Sequence, residues 1–168
     1  MKQIPLEPIL ATMVEDIRAL RLDQPLIIGI HTGGAWIATQ LHESLETNSL
    51  LGTLDISFYR DDFSRVGLNP KVQSSDLPEP VEGRHILLVD DVLHTGRTIR
   101  AAMNEIFSFG RPASIKLAVA LERPGRELPI AADIIGKTME LETVQQAKIC
   151  RTDSGLQFEI VTQTSSSD

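Results

Sequence analysis

The residues best equipped for chemistry stand in one stretch, Ile86-Leu87-Leu88-Val89-Asp90-Asp91-Val92-Leu93-His94-Thr95-Gly96-Arg97-Thr98. An apolar run ends in two carboxylates, and a short loop with Thr, Gly and Thr then opens a helix. A helix start offers free backbone N–H groups and the positive end of a dipole, which suit a phosphate. Gly96 lets backbone approach a ligand closely. Thr95 and Thr98 add hydroxyl donors. Asp90 and Asp91 are acceptors, suited to sugar hydroxyls or metal-bound water and not to the phosphate itself. Taken singly, a Thr at a helix start is commonly an N-cap, and one acid after a strand is commonly a solvated loop residue. Two adjacent acids followed by Thr-Gly-Arg-Thr are more specific. The nucleotide P-loop pattern, with its Gly-Lys-Ser/Thr, is absent, as is the dinucleotide glycine pattern.

The elements that position this stretch follow from periodicity. Leu6, Ile9, Leu10, Met13, Ile17 and Leu20 recur at helical spacing between charged residues. Leu26 to Ile30 is a continuous apolar run, read as a buried strand, and His31-Thr32-Gly33-Gly34 follows as a tight turn. A second helix presents Ile37, Ala38, Leu41 and Leu45 on one face, and Leu51 to Tyr59 reads as a strand. Residues 60–83 are rich in Gly, Pro, Ser and Asn without periodicity, a long loop of functional type and the candidate for a mobile flap. His85 to Val89 is the clearest buried strand. The helix after it should turn Ile99, Met103, Ile106 and Phe107 inward and end at Gly110, with Pro112 beyond. Ser114 to Leu121 is a further strand, with shorter ones at Asp133–Ile135, Lys148–Cys150 and Phe158–Val161. Strands alternating with helices predict an α/β fold with a central, mostly parallel sheet flanked by helices. In such sheets ligands bind outside the carboxyl ends of the strands, where Asp90 and Asp91 stand.

Composition sets limits. The chain has 168 residues, 42% of them hydrophobic, which fits one globular domain over residues 1–162 with a frayed tail at 163–168. No apolar run approaches the roughly 20 residues of a membrane span. The N-terminus lacks a signal-peptide pattern, and Cys150 is the single cysteine, so a cytoplasmic protein without membrane partners is expected. The net charge of −7 argues against nucleic acid as the main ligand. The four histidines are scattered, and no structural zinc site is proposed.

The stretch Val89 to Thr98 resembles the signature by which type I phosphoribosyltransferases bind 5-phosphoribosyl-1-pyrophosphate (PRPP). Asp55-Ile56-Ser57-Phe58-Tyr59-Arg60-Asp61-Asp62, Arg111-Pro112-Ala113-Ser114-Ile115, Arg123-Pro124-Gly125-Arg126-Glu127-Leu128-Pro129-Ile130 and Ala132-Asp133-Ile134-Ile135-Gly136-Lys137 resemble one subgroup. That subgroup is the pyrimidine operon regulatory proteins, which are also uracil phosphoribosyltransferases. The likeness covers roughly residues 5 to 162.

The resemblance implies the type I phosphoribosyltransferase fold with a flexible hood, and a reaction of uracil with PRPP giving uridine monophosphate (UMP) and pyrophosphate. It implies that Asp90 and Asp91 hold the ribose 2′- and 3′-hydroxyls and that Thr95, Gly96, Arg97 and Thr98 cradle the 5′-phosphate, with Val92, Leu93 and His94 also lining the ligand. His31, Thr32, Gly33 and Gly34 correspond to the pyrophosphate loop. The family often carries a basic residue where Gly33 stands, and Arg60 in the hood is the candidate cation for the pyrophosphate. Residues Glu122 to Ile130, with Arg123 and Pro124, correspond to the base loop, which reads the base mainly through backbone groups. The implied cofactor is Mg²⁺, held mostly through PRPP and only indirectly by Asp90 and Asp91. UMP and uridine triphosphate (UTP) are implied as ligands of the same pocket, and a homodimer or tetramer is common in the family. The regulatory relatives bind leader RNA with the first helix and a segment near the chain end. Here the first helix, Pro8 to Leu22, sets Arg18 and Arg21 against Glu15, Asp16 and Asp23, and Met139 to Gln146 has Glu140 and Glu142 and no cation. Weak or absent RNA binding is therefore expected. Two other readings stay open: a nucleotide-sensing regulator with little catalysis, and transfer to a purine base.

Overall fold

The computed structural model describes residues 2–57 and 75–163. Five strands form a parallel sheet: β2 (Leu26–Ile30), β3 (Gly52–Leu54), β4 (His85–Leu93), β5 (Ser114–Glu122) and β6 (Ile134–Thr138), in the order β3-β2-β4-β5-β6. Since all five run the same way, their carboxyl ends share one edge. Among the described residues three helices cover the sheet: α1 (Glu7–Ala19), α2 (Gly33–Leu45) and α3 (Arg97–Phe109).

The apolar strands carry two cores because successive side chains alternate across a sheet. Ile27, Leu87 and Val89 face α1 and α2, joining Ile9, Met13, Ile17, Ile37 and Leu41. Leu26, Ile28, Ile30, Ile86 and Leu88 face the other way, onto Ile99, Ala102 and Ile106 of α3. The apolar face of α1 therefore meets the first of these cores, the one lined by α2. Phe107, expected inward, is 56% exposed; one step round from Ile106 takes it off the narrow buried stripe. Met103 is partly buried, as expected.

A second, antiparallel sheet has the order β1-β8-β7, from Lys2–Pro5, Gly155–Thr162 and Gln145–Thr152. The first of these strands carries no sequence signal. It is four residues long, exposed except at Ile4, and exists through its pairing with β8. Phe158, on β8, is fully buried in the α1/α2 core. The hairpin strands extend beyond the expected Lys148–Cys150 and Phe158–Val161, and Cys150 is half-buried. The strand expected over Leu51–Tyr59 is three residues long within the described part. Most of the flap expected over residues 60–83, Arg60 and residues 164–168 lie outside the described residues. No helix among the described residues is long and apolar enough to cross a membrane.

Candidate active site at the carboxyl ends of the strands

The site grows from an asymmetry in β4. On one side its pairing with β2 stops at Gly29↔Val89. On the other, pairing with β5 continues through Asp90↔Val119 to Leu93↔Glu122. The aspartates therefore lie inside β4 and do not follow it, a correction to the sequence reading. From Asp90 onward one edge of the strand is free of β2, and the start of α2 packs into that gap.

His31 and Thr32 alone make the turn out of β2, joined by a cis peptide. Gly33 already opens α2, so the expected four-residue turn is shorter. Both glycines are required by close approach. A Cβ on Gly34 would lie 2.6 Å from the Val89 carbonyl and 2.9 Å from Asp90 Cα. A Cβ on Gly33 would lie 2.7 Å from Asp91 Cγ and 2.6 Å from Ile149 Cγ2. The space that a basic side chain at position 33 would need is filled by the Asp91 carboxylate.

The two acids are pinned by local bonds. Asp90, 3% exposed, accepts the Asp91 N–H on Oδ1 at 2.9 Å, and Asp91 Oδ1 accepts the Val92 N–H at 2.8 Å. Each carboxylate has a second oxygen. Asp91 is half-buried, and its Oδ2 is the oxygen turned to Gly33.

Beyond Leu93 the chain turns through His94, Thr95 and Gly96 into α3. Gly96 is the N-cap, with φ +93°, a left-handed conformation that favours glycine. A Thr is not the N-cap residue, the plainer alternative for a Thr at a helix start. Thr95 instead accepts the Arg97 N–H on its hydroxyl at 3.2 Å, and Arg100 N–H returns to the Gly96 carbonyl at 3.0 Å. The N–H groups of Gly96, Thr98 and Ile99 have no acceptor within the helix, by its geometry.

The loop after β5, residues 123–130, lies against this turn. Arg123 N–H donates to the Leu93 carbonyl at 3.0 Å, and Glu127 and Leu128 N–H donate to the Thr95 carbonyl at 2.9 and 3.1 Å. Arg126 donates to the His94 carbonyl and pairs with Glu122 at 2.6 Å. Arg97 Nε pairs with Glu127 at 2.7 Å. Gly125, at φ +118°, passes under the His94 imidazole, and a Cβ there would fall 2.7 Å from Nε2. Partial burial lowers the His94 pKa below the usual histidine value, and the charges of Arg123 and Arg126 push the same way, while Glu127 opposes them.

The structure thus joins His31–Gly34, Asp90–Thr98 and the 123–130 loop at one edge of the sheet. It directs the Arg123 side chain elsewhere. That residue is 8% exposed, and its guanidinium donates to the carbonyls of Gln145 at 2.8 Å and of Leu141 and Glu142 at 3.4 Å. What Arg123 and Pro124 bring to the edge is backbone. Sequence reading missed the pairs Arg97–Glu127 and Arg126–Glu122; a Gly-Arg-Glu run at a strand's carboxyl end was the available signal. A cavity of about 1100 Å³ lies elsewhere, between α1, α2 and the β7–β8 turn, and is lined by none of Asp90, Asp91 or Thr95–Thr98. Trp36 lines it under the Arg151 guanidinium, 4.9 Å from the ring centroid. The carboxylates and helix amides converge at the strand ends, away from that cavity.

Residues 5–149 match the model of the phosphoribosyl transferase domain family. The bifunctional protein PyrR of Nitrosococcus oceani is 54% identical over 140 residues, 82% of this chain and 78% of that protein. The bifunctional protein PyrR of Pseudomonas aeruginosa is 48% identical over 145 residues, 84% of this chain and 85% of that protein. Among solved structures, a hypoxanthine phosphoribosyltransferase from Staphylococcus aureus superposes with a TM-score of 0.62 at 23% identity, over 81% of this chain and 76% of that one. The Trypanosoma cruzi hypoxanthine phosphoribosyl transferase gives 0.65 at 23% identity, over 84% and 78%. At that identity the structural likeness concerns the fold.

Proposed function

Because this chain belongs to the phosphoribosyltransferase domain family, and within it to the bifunctional PyrR proteins, we propose that it transfers the phosphoribosyl group of PRPP to uracil, giving UMP and pyrophosphate. The observation that carries the assignment is the Asp90–Thr98 turn. It sets two pinned carboxylates at one end of a short loop and, at the other, helix-start amides that the helix itself leaves without acceptors. That spacing fits one ligand with hydroxyls in the middle and a phosphate at its end.

The chemistry follows from the substrate. Breaking the bond from C1 of ribose to pyrophosphate builds positive charge on the sugar ring, as in glycosidase transition states. Asp90 and Asp91 orient the ribose through its hydroxyls, and their negative charge favours the cationic ring. The amides at the start of α3 and the Thr95 and Thr98 hydroxyls hold the 5′-phosphate. The backbone of His31–Gly34 faces the pyrophosphate, and Arg60 supplies a cation there. Loop 123–130 presents backbone groups to the base. Most of the acceleration comes from positioning and electrostatics, and no general base is assigned.

Among the described residues no three of His, Cys, Asp or Glu cluster so as to hold a metal alone. Mg²⁺ would be carried mainly on ligand oxygens, with the carboxylates of Asp90 and Asp91, hard oxygen donors, as its indirect partners. When bound it offsets the charge of the departing pyrophosphate.

The test is incubation with PRPP, Mg²⁺ and labelled uracil, hypoxanthine, guanine or orotate. UMP from uracil alone is expected. Nucleotide from hypoxanthine or guanine would move the assignment to a purine enzyme. UMP binding without product from any base would make the protein a nucleotide sensor.

Regulation of pyrimidine biosynthesis is the second half of the proposed role, with UMP and UTP as signals in the cytoplasm. Direct control through leader RNA is expected to be weak. Arg18 is already paired with Glu15 at 3.1 Å and donates to the Ser44 carbonyl, and each phosphate contact needs an available cation. Tight, sequence-selective, salt-dependent retention of leader RNA in a filter assay would overturn this.

A further inference from the structure

An anion-binding loop must aim N–H groups at its ligand and keep carbonyl oxygens away from it. In the turn from β4 to α3, four successive carbonyls are engaged by protein donors. Leu93 takes the Arg123 N–H, Thr95 takes the Glu127 and Leu128 N–H groups, and Gly96 takes the Arg100 N–H. His94 takes the guanidinium of Arg126. In a trans peptide the C=O and the following N–H point in opposite directions. Holding the His94 and Thr95 carbonyls against loop 123–130 therefore turns the Thr95 and Gly96 amides to the other side, where the phosphate is assigned.

Three of the four engaged carbonyls are held by backbone donors, whose positions are set by the fold. The exception is His94. Its donor is a side chain, charged, and itself held in place by Glu122 at 2.6 Å. A charged donor makes a shorter and stronger bond than a neutral one. It also draws electron density from the peptide, leaving the Thr95 N–H more positive.

We propose that Arg126 is a positioning residue for PRPP: through the His94 carbonyl it fixes the His94–Thr95 peptide plane, and so aims the Thr95 amide at the 5′-phosphate. The idea rests on the phosphoribosyltransferase reading above and adds a residue that touches no ligand. Glu122 serves the same device at one remove, by holding the guanidinium.

The test is calorimetric titration of the whole chain with PRPP and Mg²⁺, beside thermal melts without ligand. Arg126→Met should weaken PRPP binding about tenfold or more, the scale of one charge-assisted hydrogen bond. Arg126→Lys keeps a charged donor and should recover part of the loss. Glu122→Gln should weaken binding less than Arg126→Met, and the double variant should be no weaker than Arg126→Met alone. An unchanged Kd in Arg126→Met overturns the inference. So does weaker binding in Arg126→Met with full affinity in Glu122→Gln, which would make Arg126 a direct ligand. A lower Tm in Arg126→Met, Glu122→Gln and the double variant without a change in Kd overturns it too, reducing the network to a structural strut. Wild-type protein that binds no PRPP overturns the functional reading itself, whereas wild-type protein that binds PRPP but makes no UMP removes only the catalytic assignment.

Discussion

Gly33 and Gly34 are neighbours, yet alanine should act differently at each. At Gly34 the new methyl meets backbone, the Val89 carbonyl at 2.6 Å and Asp90 Cα at 2.9 Å. No rotamer relieves that contact, so α2 must shift away from β4. Overpacking of this kind costs about 1–3 kcal/mol. The substitution also stiffens the unfolded chain, which returns about 0.4–1 kcal/mol. The net loss is about 1–2 kcal/mol, or roughly 3–6 °C in Tm for a chain of this size. At Gly33 the methyl meets side chains, the Asp91 carboxyl group and Ile149 Cγ2 at 2.6 Å. These can give way, so stability should fall by less than about 1 kcal/mol. The movement, however, takes the Asp91 carboxylate from its place and strains its bond to the Val92 N–H. Turnover should drop more than about tenfold, the cost of misplacing a substrate-positioning group. Differential scanning calorimetry and steady-state UMP synthesis read the two effects separately. Gly34→Ala melting at or above the wild-type Tm, or Gly33→Ala with wild-type kcat/KM, would refute the reasoning.

Asp90→Asn and Asp91→Asn should each lower kcat roughly 100-fold, the scale of losing one well-placed electrostatic contact, while Tm moves by only a few degrees; wild-type turnover in both variants would remove their assignment. Arg123→Met strips donors from the carbonyls of Leu141, Glu142 and Gln145 and should cost about 2–3 kcal/mol in urea unfolding, with the PRPP affinity changed far less than in Arg126→Met. His94 has a folded-state pKa below its unfolded one. The unfolded chain therefore binds its proton first as pH falls, and the stability present above the unfolded value near 6.5 is lost on acidification through the folded pKa. His94→Gln should flatten the fall in urea midpoint between about pH 7 and 5. The groups that face the imidazole, Arg123, Arg126 and Glu127, remain in place in that variant, so an unchanged slope would show that His94 is not its source.

The parts of the fold that depend on local pattern were legible. Leu26–Ile30 and Ile86–Val89 are apolar without interruption because both faces are covered, and a buried parallel strand has that composition. Parts that depend on pairing were not. The strand Lys2–Pro5 has neither alternation nor β-branched density beyond Ile4, and its existence rests on Phe158 and Ile160 across the ladder. The extension of β4 through Asp90 and Asp91 has the same origin. Two adjacent acids end a strand by propensity, but β5 continues to pair alongside them, and ladder bonds outweigh propensity there.

The same division runs through the site. The Asp-Asp and Thr-Gly-Arg-Thr elements were readable because they lie within one short stretch of sequence, as the site proposed for the hydroxyls and phosphate of one ligand requires. The orientation of that turn is set by residues about thirty positions later, Arg126 on His94 and Glu127 on Arg97 and Thr95. The absence of a basic residue at position 33 also has a distant cause, since Asp91 and Ile149 occupy its space. A lysine there would displace the carboxylate assigned to the ribose. Any cation on the pyrophosphate must therefore come from outside this loop, the part for which Arg60, outside the described residues, is proposed.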